Sequence, residues 1–427
     1  MSKIKSLVKN SIPKPLFRIL GRWKKNFFYK KFDNQYNRIL KELKQKSKIK
    51  IAFYIFNADT WKADTVYQAF EKSDKFIPYL VICPLINKGD SFLQQQFEQC
   101  LSLVKKNRYR YIVGFKGLKE SEIVKTQIPN FDIVFFLNPN NLSIRPYRIL
   151  HNKNSLNCYI PYSFNIDNLM DYEFNNFKLN LMYRLFALTP YHQKMYQEYS
   201  DKKGSNTFVS GFPQLDRFFK NTSSNPWKNP KSTRKKIIWG PHWTIPGKQE
   251  TGLDWSCFLD YAEFMLQLAD RYKEVIELAL KPHPFLFQLL SKEENWGKIK
   301  TDAYLTKWEL RENCQIHWGD YLDLFIHSDS LIHDSGSFTV EYLCVDKPVA
   351  YTSNRNNYIE RFNQIGRKAI STHEIISNKN DLEKFITSIL EDKDPFKNPR
   401  SDFQINTLKA DGKAGKRIVK HLEKILR

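Results

Sequence analysis

The 427-residue chain contains no uninterrupted apolar run approaching the length of a bilayer-spanning helix, which needs about 18–20 residues. Its N-terminus lacks the apolar stretch of a secretory leader, because Lys or Arg recurs there every few positions. The six cysteines, at 83, 100, 158, 257, 314 and 344, show no C-x-x-C spacing, so reduced thiols are expected in place of disulfides or zinc. G-x-S-x-G, Walker A and G-x-G-x-x-G patterns are all missing. His317 and His327 have no carboxylate at ligand spacing, and Asp320-Tyr321-Leu322-Asp323 reads as a helix start. No metal and no cofactor is expected, and the chain is expected in the cytoplasm.

Acidic residues are scarce. Lys and Arg number 68 against 45 Asp and Glu, a formal charge of +23. The imbalance is concentrated in residues 1–50, where sixteen basic residues face only Asp33 and Glu42. Apolar and aromatic residues are interleaved there, including Leu16, Phe17, Trp23, Phe27, Phe28 and Tyr29, and Pro13 and Pro15 suggest short segments. Residues 1–48 are therefore expected to form a basic amphipathic extension on an anionic membrane surface, peripheral to its inner face. The same charge would attract nucleic acid. That partner is not favoured, because no RRM, KH, zinc-finger or helix-turn-helix pattern accompanies it.

With 41% hydrophobic and 15% aromatic residues, the remainder has ample core for two domains. From residue 49, β-branched and aromatic runs at 49–56, 76–83, 109–114 and 131–137 alternate with helical patterns such as 90–106, and weaker strands follow at 157–161 and 207–211. Residues 220–235 are polar, carry two prolines and read as a linker. Strands then return at 236–240, 275–280, 315–318, 331–333 and 349–351, separated by helical stretches, and 408–426 is a terminal amphipathic helix. The predicted fold is α/β, two Rossmann-like doubly wound domains at 49–220 and 236–400 with a helix at 401–427. Ligands of such sheets bind beyond the carboxyl ends of the strands.

Three segments fall at such ends. Ser328–Tyr351 runs from a strand through Ser335-Gly336-Ser337 into a helical stretch, offering backbone N–H groups to an anion. The hydroxyls of Ser335, Ser337 and Thr339 add donors, which suits the diphosphate of a nucleotide-linked donor. The same turn also reads as an ordinary Ser-capped βα turn. Lys281-Pro282-His283-Pro284 fixes a histidine between prolines, and Trp239-Gly240-Pro241-His242-Trp243-Thr244 places His242 and Thr244 on a rigid loop.

In order, these pieces resemble the CDP-glycerol glycerophosphotransferase family of teichoic-acid and capsule-polymer transferases. The resemblance rests on Gly211-x-Pro213-x-x-Asp216, on Trp239–Trp243 (the family's A-P-T-W-R), on Lys281-x-His283-Pro284, on Ser328–Tyr351 and on Asp411-Gly412-Lys413-Ala414-Gly415-Lys416-Arg417. It covers about 205–425 and implies a GT-B arrangement with the donor on the C-terminal domain. It further implies transfer of a polyol phosphate from a CDP-linked donor to a polysaccharide or lipid-linked acceptor, releasing CMP. Lys281, His283, Ser335, Gly336, Ser337, Thr339, Thr244 and Glu341, where the family has Asp, would bind the donor. The family's N-terminal W-H-G histidine has no counterpart: Cys158-Tyr159-Ile160-Pro161-Tyr162-Ser163 carries none. His242 then becomes the candidate base beside a catalytic His283. A GT-B glycosyltransferase using a UDP- or CMP-linked sugar is the alternative.

Overall fold

The computed structural model describes residues 14–220, 224–245, 255–283, 285–353 and 357–427, with side chains from Trp23 onward. Residues 1–13 of the expected extension, and Pro284, lie outside the described residues. The chain forms two compact units, one of 1–162, 170–210 and 415–427, the other of 163–169 and 211–414.

The first unit is built on nine strands: β1 (Ile49–Ile55), β2 (Phe76–Ile82), β3 (Tyr111–Val113), β4 (Phe115–Lys116), β5 (Val124–Lys125), β6 (Ile133–Phe136), β7 (Leu156–Tyr159), β8 (Arg184–Ala187) and β9 (Thr207–Val209). Seven form a parallel sheet in the order β3-β2-β1-β6-β7-β8-β9, and β4 and β5 pair separately. Central strands such as β6 are buried along their whole length, which is why they read as unbroken apolar runs and not as alternation. Strand β8 went unread in the sequence, because four residues beginning with Arg184 give too short a pattern.

The expected helical N-terminal region is present as one continuous helix, α1 (Lys14–Lys44), with one face packed into the first unit. Tyr29, Phe32, Tyr36, Ile39 and Leu43 recur at helical spacing, and all five are buried in the first unit's core. The Tyr36 hydroxyl donates to the Leu181 carbonyl (2.8 Å) and accepts from Asn157 Nδ2 (3.0 Å). Pro15 does not split the segment: it occupies the first turn, where no N–H is needed. The terminal helix Ala414–Ile425 likewise buries Ile418, Val419 and Leu422 in this core. Gly415 permits its approach, since a Cβ there would lie 2.6 Å from the Thr65 carbonyl oxygen. Among the described residues no helix is long and apolar enough to cross a membrane.

The second unit has β10 (Lys235–Gly240), β11 (Ile276–Leu280), β12 (Cys314–Ile316), β13 (Ser330–His333), β14 (Val349–Thr352) and β15 (Glu374–Ile376). They form one parallel sheet in the order β12-β11-β10-β13-β14-β15. Strand order reverses between β10 and β13, the switch point that opens a ligand crevice in such sheets. Of the expected linker at 220–235, residues 224–235 pack on this unit instead: Trp227 is buried, and the Lys228 backbone N–H donates to the Gln315 side chain. The main run of the second unit therefore starts at Gly211, before the expected linker. Fully buried Arg400 is clamped by Asp346 and Asp394, fixing the end of the segment that follows the Ser-Gly-Ser turn. Arg400→Ala leaves two partly exposed carboxylates without their partner, and a loss of about 1–3 kcal/mol is expected in chemical denaturation.

Candidate active site at the carboxyl edge of the second sheet

Three loops leave neighbouring strands side by side. Gly240 ends β10 opposite His333 of β13, and a Cβ at Gly240 would stand 3.2 Å from the Phe338 ring, so only glycine lets the two segments meet without displacement. Beyond it, the His242 backbone N–H donates to Asp334 Oδ1 (2.5 Å) and that of Cys257 to Asp334 Oδ2 (2.6 Å). Burial pushes this carboxyl up to about 7, against the opposing pull of the two N–H bonds and of Arg361. Asp334 thus ties the loop after β10 to the end of β13.

The histidines are held by their Nδ1 atoms. Thr244 Oγ1 accepts the backbone N–H of Trp255 and of Ser256 (3.0 Å each). Its own proton is therefore left for His242 Nδ1, 3.2 Å away. His283 Nδ1 accepts the Phe285 backbone N–H (3.2 Å). In both rings this bonding assigns the remaining proton to Nε2, and neither Nε2 has a partner among the described residues. The ring centroids are 5.6 Å apart. Enclosure, then the Arg361 charge, lowers the His242 imidazole to about 3. Burial, followed by His242 and Lys281, holds His283 well below the ordinary range. Both are neutral donors near pH 7, and His242 is not bonded as a base.

Buried Lys281 follows β11, its backbone N–H donating to the Trp239 carbonyl (2.8 Å) and its ammonium lying 6.0 Å from the Tyr321 ring centre. After β13, the Ser335 N–H donates to His333 Nδ1 (3.1 Å). The N–H groups of Gly336 and Ser337 meet no acceptor among the described residues. The expected helical stretch Phe338–Val345 is formed, as one α-helical turn, Phe338–Glu341, followed directly by a 3-10 turn, Tyr342–Val345.

His242, Thr244, Lys281, His283, Ser335, Gly336 and Ser337 all stand at the carboxyl ends of β10, β11 and β13. Thr339 is close but turned inward, its hydroxyl donating to the Ser335 carbonyl (3.0 Å). Glu341 is buried, and its Oε2 accepts the Tyr321 hydroxyl. Asp216 of the Gly211–Asp216 motif accepts the Ala414 backbone N–H (2.9 Å), capping the last helix and joining two motifs in a structural role.

Two residues here were missed in the sequence. Residues 165–168 lie antiparallel to 360–363, through Asn168 N–H to the Arg361 carbonyl (2.7 Å) and Asn363 N–H to the Ile166 carbonyl (2.8 Å). This brings Asp167 Oδ1 to 3.8 Å from the position of a Cβ at Gly336. Its carboxylate accepts no hydrogen bond among the described residues, and burial raises it to about 6. Arg361 lies with its guanidinium 5.4 Å above the Trp255 ring, and its charge reaches His242 and Asp334. Among the described residues no group of three His, Cys, Asp or Glu side chains is arranged to hold a metal ion.

Residues 174–424 match the sequence model of the CDP-Glycerol:Poly(glycerophosphate) glycerophosphotransferase family. No curated protein sequence matches the chain. A structure of a variant of the wall teichoic acid polymerase TagF superposes with a TM-score of 0.56 at 13% identity, over 95% of this chain and 98% of that one. Another, soaked with CDPG, gives 0.54 at 12%, with the same coverage. The UDP-GlcNAc 2-epimerase of Neisseria meningitidis, bound to UDP-GlcNAc, gives 0.56 at 14%, over 88% of this chain and 100% of that one. At these identities the likeness is one of fold, and it matches the two doubly wound sheets described above.

Proposed function

The chain belongs to the CDP-glycerol:poly(glycerophosphate) glycerophosphotransferase family, and on that premise we propose how its own residues carry out the transfer. The donor is CDP-glycerol. Its diphosphate lies against the two Nε2–H groups of His242 and His283 and the N–H groups of Gly336 and Ser337, in the field of Arg361 and Lys281. The hydroxyl of a cell-wall or capsule polymer, lipid-linked at its base, attacks the β-phosphorus. A new O–P bond forms, the Pβ–O bond to the α-phosphate breaks, and CMP leaves with the electron pair. Asp167 receives the hydroxyl proton. Phosphoryl transfer depends mainly on positioning and on stabilising charge at the phosphate oxygens, and a cluster of neutral and cationic donors supplies that. The reaction is carried out at the inner face of the cell membrane, which the basic side of α1 approaches.

The observation that carries this reading is the pair of histidines fixed through Nδ1 at the carboxyl ends of β10 and β11, beside the switch point of the second sheet. The test is CMP release by the purified chain given a synthetic lipid-linked glycerol phosphate and, in turn, CDP-glycerol, CDP-ribitol, a UDP-sugar or a CMP-sugar. CDP-glycerol is expected to support turnover and to raise the melting temperature, because binding adds RT ln(1 + [L]/Kd) to the stability, about 2.7 kcal/mol at a hundredfold excess over Kd. Turnover and stabilisation by a UDP-sugar alone would show the glycosyltransferase alternative to be right.

A further inference from the structure

Beside α1 the first unit has a cavity of about 460 Å³, within the size range of small-ligand sites (about 300–1,000 Å³). Its walls divide by chemistry. Phe28, Phe32, Leu150 and Phe177 form an apolar floor, and Lys24, Lys25, Lys31 and Lys153 stand around it. On α1 the lining residues Lys24, Phe28, Lys31, Phe32 and Gln35 fall at helical spacing on one face. No carboxylate lines the cavity. Lys25 is paired with Asp201 at 3.2 Å, while Lys24, Lys31 and Lys153 form no ion pair among the described residues. Gln35 adds an independent sign, because its Nε2 is buried without a hydrogen-bond partner. An unpartnered buried amide N–H₂ is costly unless an acceptor arrives. At the neighbouring positions of the helix, Trp23 and Phe27 are 74% and 65% exposed, unusual for aromatic side chains except where a surface covers them.

We propose that this cavity is a binding site for a phosphate-bearing lipid, with the first methylenes on the phenylalanine floor and the phosphate oxygens between the Gln35 amide and the three unpaired lysines. A free phosphate would leave the floor wet, and a neutral lipid would leave the amide and the cations without a counterpart. Trp23 and Phe27 then sit in the interfacial zone of the same bilayer. The site deepens the membrane-face part of the proposed function and rests on it, but is independent of the transfer chemistry.

The test compares wild type with Lys24→Gln/Lys31→Gln/Lys153→Gln and with a control, Lys105→Gln/Lys106→Gln/Lys116→Gln, which removes equal charge from exposed positions away from the cavity. Co-sedimentation with vesicles of phosphatidylcholine containing phosphatidylglycerol is expected to weaken roughly fivefold per cavity lysine, about 10²-fold in all, and to change less than twofold in the control. Gln35→Leu, which keeps the charge, is expected to weaken binding of monomeric octyl phosphate in calorimetry, where octanol and inorganic phosphate bind poorly. Equal losses in the two triple variants, or octyl phosphate binding unchanged by Gln35→Leu, would overturn the cavity site. Wild type that ignores anionic vesicles overturns the membrane-face reading, and octyl phosphate then still decides the cavity. Unchanged melting temperatures confirm that these substitutions leave the fold intact.

Discussion

Asp167→Asn is expected to lower kcat by about 10²–10⁴-fold, the usual contribution of a positioned general base, and to leave the KM for CDP-glycerol within a few-fold. The asparagine keeps the shape and the backbone pairing of 165–168 with 360–363, and removes only the capacity to take a proton. Asp167 faces Gly336, so its loss should not disturb the histidine pair. The pH profile supplies a second readout. Burial raises the carboxyl to about 6, so wild-type kcat should climb as pH rises through 6, and that limb should be missing in the variant. Stability separates a base from a structural residue. A carboxyl raised on folding favours the protonated folded form, so its contribution is present below its ordinary value near 3.8 and is lost as pH rises through 6. At neutral pH the variant should therefore melt no lower than wild type. Wild-type turnover in Asp167→Asn would remove the residue from the mechanism.

Most strands of both sheets, and the loops after β10, β11 and β13, were legible in the sequence for one physical reason, whereas β8 and β15, at four and three residues, were too short to read. A parallel strand buried on both faces must be apolar throughout, so 49–55 and 276–280 announce themselves, and the polar residues that follow them mark the sheet edge. Asp167 was not legible, because its role comes from an antiparallel pairing with residues almost two hundred positions away. Arg361 sits in a polar stretch with no local pattern and acquires meaning only over Trp255. For α1, a correct signal was outweighed by a stronger one. The 29, 32, 36, 39, 43 periodicity of a core-facing helix was present, but charge and aromatic content dominated the reading. The buried bond from Tyr321, twenty residues upstream, to Glu341 was likewise not legible, because no local pattern links the two residues.

His242→Ala and His283→Ala are each expected to reduce kcat/KM by about 10²–10³-fold, the cost of removing one preorganised donor from developing charge. Because the rings are 5.6 Å apart and act on one diphosphate in the proposed site, the double variant should lose less than the product of the two. The chemical role of His242 is decided by a glutamine. Gln offers an N–H₂ with similar reach to Nε2–H but cannot accept a proton near neutral pH. If His242 donates to the phosphate, His242→Gln should recover a tenfold or greater part of the activity that His242→Ala loses. If it were the base, as the sequence suggested, the two variants would be equally inactive. Thr244→Val provides the structural counterpart. It deletes the hydroxyl that assigns the proton to Nε2 and also leaves the Trp255 and Ser256 N–H groups without their acceptor, so both turnover and melting temperature should fall. Since enclosure lowers His242 to about 3, its neutral form persists from pH 5 upward. The acid side of the wild-type profile should then come from the carboxyls of Asp167 and Asp334, raised to about 6 and about 7, and both steps should survive, at reduced height, in His242→Gln.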